Sequence, residues 1–342
     1  MPAPVDLAIT MGDPAGIGPE VTLKALATPA VRRQVTPLLF GDITAFRDTA
    51  QRLQLAVEFA ATQPGVPVAR GAIAVVATGD LEARQRVPGR STIGGGEAAY
   101  QAIVAAAQAV QRGAAAALVT APISKANVAA AGHDFPGHTE LLTHLCGATC
   151  VRMMMAGPKL RVVLATTHVA VRRVAELLTP QLVEDTITVT NRSLRQWFGC
   201  ARPRIAVCGL NPHAGEAGLF GDEEGKVIAP AVGCARRRGI QALGPLPADT
   251  VFAPAARGEY DAVVCMYHDQ GLAPFKLLHF KDGVNVTLGL PFVRTSPDHG
   301  TAYDIAGKGI ADAASMVAAI QLAARLANAA PAGSRSKKSV AL

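Results

Sequence analysis

Three apolar runs in this 342-residue chain end alike, each passing into a short polar segment that holds a histidine. Arg161-Val-Val-Leu-Ala-Thr-Thr runs into His168, and Arg204-Ile-Ala-Val-Cys-Gly-Leu-Asn-Pro runs into His213. The third run, 262–266, breaks at Tyr267-His268-Asp269-Gln270-Gly271. Continuous apolar runs of this length read as strands buried on both faces, which belong in parallel sheets covered by helices. In open α/β sheets the ligand crevice lies outside the carboxyl ends of the strands, and all three histidines fall at such ends. One imidazole from each makes a candidate divalent-metal site suited to zinc and its neighbours, with a coordination position left for substrate. Asp249 and Asp269 are the nearest-looking carboxylates for an orienting or proton-accepting role.

The rest of the chain alternates strand and helix at short intervals. Strands are expected at Val5–Thr10, Val35–Gly41, 114–120 and 153–156, with an apolar run at Ile73–Ala77 and short unassigned segments at 283–288 and 292–294. Helices are expected at 42–53, 97–112, Pro180–Gln196, 223–238 and 313–327, and one that opens at 139 with Thr139 as its cap. Residues 271–274 read as a turn, with a separate short segment at 276–280. This pattern predicts an α/β fold on a parallel, doubly wound sheet. The glycine-rich loop at 12–18 precedes a helix start and could form an anion-binding concavity. Neither GxGxxG nor GxxxxGK[ST] occurs in the chain, so a nucleotide would not bind through those fingerprints.

Composition narrows the classes further. The formal charge is +7, but no basic helix with interleaved aromatics carries it, and Arg335, Lys337 and Lys338 lie in a terminal segment expected to be disordered. Nucleic-acid binding is not expected; an anionic small molecule suits the charge better. The six cysteines form no CxxC pair and read as free thiols in a reducing compartment. No apolar stretch approaches the length of a membrane span. A cytoplasmic protein is the expectation.

Several cationic and polar residues stand near the expected strand ends. His138 lies at an expected helix start, where backbone N–H groups point outward. With Thr139, Lys276, Asn285 and Arg294 it would form a phosphate or carboxylate pocket, arginine giving bidentate recognition and lysine a point charge.

Seven motifs together resemble the 4-hydroxythreonine-4-phosphate dehydrogenase family. They are GDPAGIGPE (12–20), VTAPISK (119–125), GHTE (137–140), TTHV (166–169), NPHAGE (211–216), PADT (247–250) and YHDQGLAPFK (267–276). GVNVTLGLPFVRTSPDHGTAYDIAGKG (283–309) extends the match, and its HGTAYDIAGKG portion resembles the adenosine-binding loop of isocitrate and isopropylmalate dehydrogenases. The resemblance implies two α/β/α lobes with a cleft between them. The first would be 1–136 plus 281–330 with the cofactor loop; the second, 137–280, would carry the metal ligands and a dimer interface, leaving 331–342 as a tail. It implies His168, His213 and His268 as ligands of a divalent metal (zinc, magnesium or cobalt) in a homodimer with its active site at the subunit interface. His138, Thr139, Lys276, Asn285 and Arg294 would contact a phosphorylated small-molecule substrate, and His299, Gly300 and Asp304 would contact NAD or NADP. Asp249 or Lys125 would relay the proton. The implied reaction is oxidation of the C3 hydroxyl of 4-phosphooxy-L-threonine followed by loss of CO₂. Related enzymes act on other phosphorylated hydroxy acids or on dihydrodiol carboxylates, and the histidines alone would also suit a metal-dependent phosphatase.

Overall fold

The structure is a computed structural model, described over residues 3–329. The expected tail at 331–342 lies outside the described residues. The chain divides into two compact units, Met1–Ala148 with Leu290–Leu342, and Thr149–Gly289. The sequence-based split at 136/137 and 280/281 puts His138 and Thr139 in the second lobe. They instead begin a helix, His138–Cys146, that belongs to the first unit.

The first unit is built on β1 (Val5–Thr10), β2 (Val35–Gly41), β3 (Phe59–Ala61), β4 (Ile73–Ala77) and β5 (Ala117–Thr120). Of the strands of the second unit, β6 (Arg152–Ala156), β7 (Arg161–Leu164) and β8 (Arg204–Cys208) come first in the chain. They are followed by β9 (Gln241–Leu246), β10 (Ala262–Cys265) and β11 (Val284–Leu288), and the chain then returns to the first unit with β12 (Val293–Pro297).

In the first unit the strand order is β3-β4-β2-β1-β5-β12, and every pairing is parallel. Leu7, Ala8 and Ile9 of β1 are fully buried, as are Ala117, Leu118 and Val119 of β5, in keeping with strands covered on both faces. Helix Ile93–Gln111 packs with an alanine face (Ala98, Ala102, Ala106), so helix and sheet approach closely. It starts earlier than the expected 97, because Thr92 Oγ1 caps it by accepting from the Gly95 N–H at 3.0 Å. Three glycines in the first turn, at 94–96, hide that start from propensity.

In the second unit the order is β11-β6-β7-β10-β8-β9. The β7-β10-β8-β9 stretch is parallel, but β6 runs antiparallel to both β11 and β7. The expectation of a wholly parallel sheet is thus corrected. Only residues 157–160 join β6 to β7, far too few for a crossover helix, and they close a turn through Gly157 N–H to Leu160 O at 2.9 Å.

Candidate active site

Strands β7, β10 and β8 are neighbours and parallel, so their carboxyl ends open on one edge. The exits are laced together. Thr166 Oγ1 donates to Met266 O at 2.7 Å. The buried Gln270 accepts from Met266 N–H and donates to Gly209 O, each at 2.7 Å. Glu224, 5% exposed, accepts from the N–H groups of Leu210 and Asn211 at 2.7 Å and from Asn211 Nδ2 at 3.0 Å. Together the donors at Leu210 and Asn211 hold its carboxyl below the usual range, against the burial that would raise it.

The three histidines emerge from these exits. His168 lies four residues past the end of β7 and is exposed. His268 is the first residue of helix His268–His279, with its Nδ1 2.7 Å from Asp269 Oδ1. Such a carboxylate fixes the tautomer and presents the other ring nitrogen to a ligand. The His168 and His268 rings are 5.8 Å apart between centroids. His213 is also exposed and opens a run, 213–217, in which every φ lies between 42° and 81°. Left-handed backbone costs a non-glycine residue roughly 1–2 kcal/mol, so this run persists only because its surroundings hold it. Among the described residues no three His, Cys, Asp or Glu side chains converge as a metal cage. His168 and His268, with Asp269 behind, fit two ligands of a divalent ion; His213 stands on the same edge but is not gathered with them.

Residues 271–274 are not a turn, and 276–280 are not a separate segment. Both largely belong to helix His268–His279. Gly271 lets the helix pack close, since a Cβ there would lie 3.0 Å from Cys265 Sγ and 3.1 Å from Leu164 Cδ2, and Leu272 and Phe275 are buried beneath. Lys276 is therefore about 12 Å along the axis from His268, at a helical rise of about 1.5 Å per residue. Its Nζ lies 5.8 Å from the centre of the Phe280 ring. Asn285 is on β11 with a buried Oδ1 that has no hydrogen-bond partner. Asp249 is exposed in the first turn of helix Ala248–Ala256, where a carboxylate complements the helix dipole.

The first unit assembles a separate cluster. Arg294 on β12 is 2% exposed, and its Nε and Nη2 both donate to Thr120 Oγ1 at the end of β5. Burial lowers its pKa to about 10, opposed by the Glu140 carboxylate, so the guanidinium stays charged at neutral pH. His138 lies near the charges of Arg294 and Lys125; burial first, and then those two cations, hold its pKa well below the usual 6.5. Its Nε2 is buried with no hydrogen-bond partner. Lys125 opens the helix Lys125–Ala130, capped by Ser124, and reaches Gly137, where a Cβ would meet Lys125 Cε at 3.3 Å. Thr139 is not the cap of its helix. Gly137 holds that position, and the Thr139 carbonyl accepts from Thr143 Oγ1 at 2.6 Å. Two cations, a neutral imidazole with an orphaned nitrogen and a helix start gather here, a set of groups that could hold an anion.

His299, Gly300 and Asp304 also belong to the first unit. His299 has a buried Nε2 without a partner, Gly300 faces open space, and Asp304 is exposed. A shallow hollow lined by Pro14, Gly16, Arg52, Pro88 and Gly307 borders the same loop. An exposed carboxylate and an open glycine fit the ribose of a dinucleotide. Sequence reasoning assigned no role to Thr120, Gln270 or Glu224. The first two lie inside quoted motifs, whereas Glu224 has no local spacing signal because it acts from beyond a loop.

The family described as pyridoxal phosphate biosynthetic protein PdxA matches residues 33–323. A 4-hydroxythreonine-4-phosphate dehydrogenase of Geobacter metallireducens is 52% identical over 323 residues, covering 94% of this chain and 95% of that one. A D-threonate 4-phosphate dehydrogenase of Cupriavidus necator is 45% identical, covering 94% and 97%. The crystal structure of 4-hydroxythreonine-4-phosphate dehydrogenase from Klebsiella pneumoniae has a TM-score of 0.86 at 43% identity, covering 96% and 99%. The fold is isocitrate/isopropylmalate dehydrogenase-like. No helix among the described residues is long and apolar enough to cross a membrane.

Proposed function

We propose that this chain, which belongs to the family of pyridoxal phosphate biosynthetic protein PdxA, is a cytoplasmic NAD(P)-dependent dehydrogenase. It oxidises 4-phosphooxy-L-threonine at C3, with decarboxylation to 3-amino-2-oxopropyl phosphate. The observation that carries this reading is the Arg294–His138–Lys125 pocket, whose charge and orphaned Nε2 suit a phosphate. Arg294 and Lys125 neutralise it, His138 offers Nε2, and Thr139 lies in the same helix turn. Lys276 and Asn285, in the second unit, are further substrate contacts.

His168, His213 and His268 are the proposed holders of a zinc, magnesium or cobalt ion, and His299, Gly300 and Asp304 of the dinucleotide. When bound, the ion supplies Lewis acidity at the hydroxyl and the nicotinamide accepts hydride. The chain's own part is to position: the anion pocket fixes the phosphate end and so decides which carbon faces the cofactor. Of the two groups proposed to move the hydroxyl proton, Lys125 stands with His138 and Arg294, whereas Asp249 occupies an exposed helix start. Leu277, Phe280, Leu219 and Val171 of the second unit are all strongly exposed, and we read that unit as the dimer-forming one, with the active site shared between subunits.

The Cupriavidus relative supports a second reading, in which the substrate is D-threonate 4-phosphate, with a hydroxyl in place of the C2 amine. Reduced-nicotinamide formation with each phosphate ester, at matched metal and cofactor, separates the two. The higher kcat/KM is expected with 4-phosphooxy-L-threonine. Inactivity on both esters, or phosphate release without cofactor reduction, would overturn the proposal.

A further inference from the structure

Tyr303 sits inside the 299–309 loop, between Ala302, whose φ is +41°, and Asp304. Its phenol donates to Asp13 Oδ2 at 2.7 Å, and the Ser91 and Ser124 side chains lie beside the same hydroxyl. Both serines are held from behind by Asn127. Its backbone N–H donates to Ser124 Oγ at 3.3 Å, and its side-chain amide donates to Ser91 Oγ. Asp13 is 0% exposed, and its other oxygen accepts from the Ala15 N–H at 2.9 Å.

Four segments remote in sequence therefore meet at one hydroxyl: the 12–18 loop, the stretch around Ser91, the cap of the helix that opens with Lys125, and the 299–309 loop. Backbone and lysine contacts fasten the two ends of that last loop. Thr301 O accepts from Ile17 N–H at 2.9 Å, and Gly309 O accepts from Lys24 Nζ at 2.8 Å. Between those points the phenol is a half-buried side-chain anchor. The left-handed Ala302 beside it is a conformation that non-glycine residues keep only where neighbours enforce it.

We propose that Asp13 and Tyr303 form a positioning pair that holds the 299–309 loop in its cofactor-binding arrangement and registers it against the helix start bearing Lys125. The inference rests on the assignment of His299, Gly300 and Asp304 to the dinucleotide. Asp13 and Tyr303 act through the loop: without the anchor the loop populates other arrangements, and apparent affinity falls with the competent fraction.

Tyr303→Phe in the full chain removes the hydroxyl and nothing else, leaving Asp13 Oδ2 buried and unpartnered. Calorimetric Kd and steady-state KM for the dinucleotide should rise about tenfold, on the scale of a stranded buried acceptor, with kcat little changed. Asp13→Asn should weaken binding similarly, and the double variant should lose no more than the worse single one, because the pair acts as a unit. Hydrogen exchange should quicken in 299–309 while thermal unfolding stays cooperative. A Tyr303→Phe chain that binds dinucleotide as tightly as the parent, or losses that simply add, would overturn the proposal. Asp304→Ala separates the two levels. If it leaves dinucleotide affinity intact, the loop assignment fails and the pair with it; if it weakens affinity while Tyr303→Phe does not, the pair alone fails.

Discussion

Arg294 and the Nε2 of His138 in the first unit are enclosed by protein, while His168 and His213 in the second are exposed on loops. The first pair gets its geometry from strand ends and a helix start, with Thr120 and Glu140 answering the guanidinium. The imidazoles get theirs from lacing one layer back, through Thr166, Gln270 and Glu224, which fixes the exits but leaves the rings themselves on the surface. On the proposed reading the lesson is that a charge-recognition site can be finished by the fold, whereas the edge proposed to hold a metal has its strand exits fixed but its imidazoles ungathered. Variants in the first unit should therefore act without a metal, and variants in the second should act through one.

The largest effect is expected at Arg294. Arg294→Ala removes a buried charge and should lower kcat/KM for the phosphate ester by about 10²–10³-fold. Steady-state kinetics beside a thermal-unfolding control measure it, and a loss under about tenfold would undo the contrast drawn between the units.

Next comes Asp269→Asn, which weakens the support for the His268 tautomer and should reduce divalent-ion affinity about tenfold. Titration of the metal-free chain with cobalt or zinc reads this directly, and unchanged affinity would show that Asp269 merely neighbours the ring. Glu224→Gln should act less strongly on the ion but visibly on the backbone. Amide exchange across 210–217 should accelerate, since the run 213–217 loses the carboxylate that accepts from Leu210 and Asn211. Exchange at the parent rate would mean that the left-handed run supports itself.

The smallest effect is a pH dependence. His138 is neutral at pH 7 because its folded pKa lies well below the unfolded value of about 6.5. As pH falls below that value the unfolded chain takes up the proton first, so the stability contributed by neutral His138 is present above about pH 6.5 and lost beneath it. Thermal midpoints of the parent and of His138→Gln should converge or cross as pH drops from 7 to 5, and parallel curves would remove His138 from the enclosed set.

Much of this was legible in the chain. The apolar runs ending at Thr10, Thr120 and Cys265 announce buried parallel strands, and the motifs around His138, His168, His213 and His268 fall, as expected, at helix starts or past strand ends. What hid was non-local. Gly271 and Pro274 look like a turn, yet glycine is there so that a helix can lie against Cys265 and Leu164. The antiparallel β6 follows from a four-residue connection, Gly157-Pro158-Lys159-Leu160, whose Gly-Pro pair signals a turn but does not record which strands it joins side by side. Residues such as Glu224 and Tyr303 act across loops, and no periodicity records a partner that folding alone brings near.

The central claim is that the first unit holds a finished phosphate site. Calorimetric titration of the metal-stripped, cofactor-free chain with 4-phosphooxy-L-threonine or its C2-hydroxyl analogue tests it most directly. The account predicts saturable binding that Arg294→Ala abolishes and that Asp269→Asn leaves unchanged. Binding that appears only after a divalent ion is added, or that survives in Arg294→Ala, would contradict it.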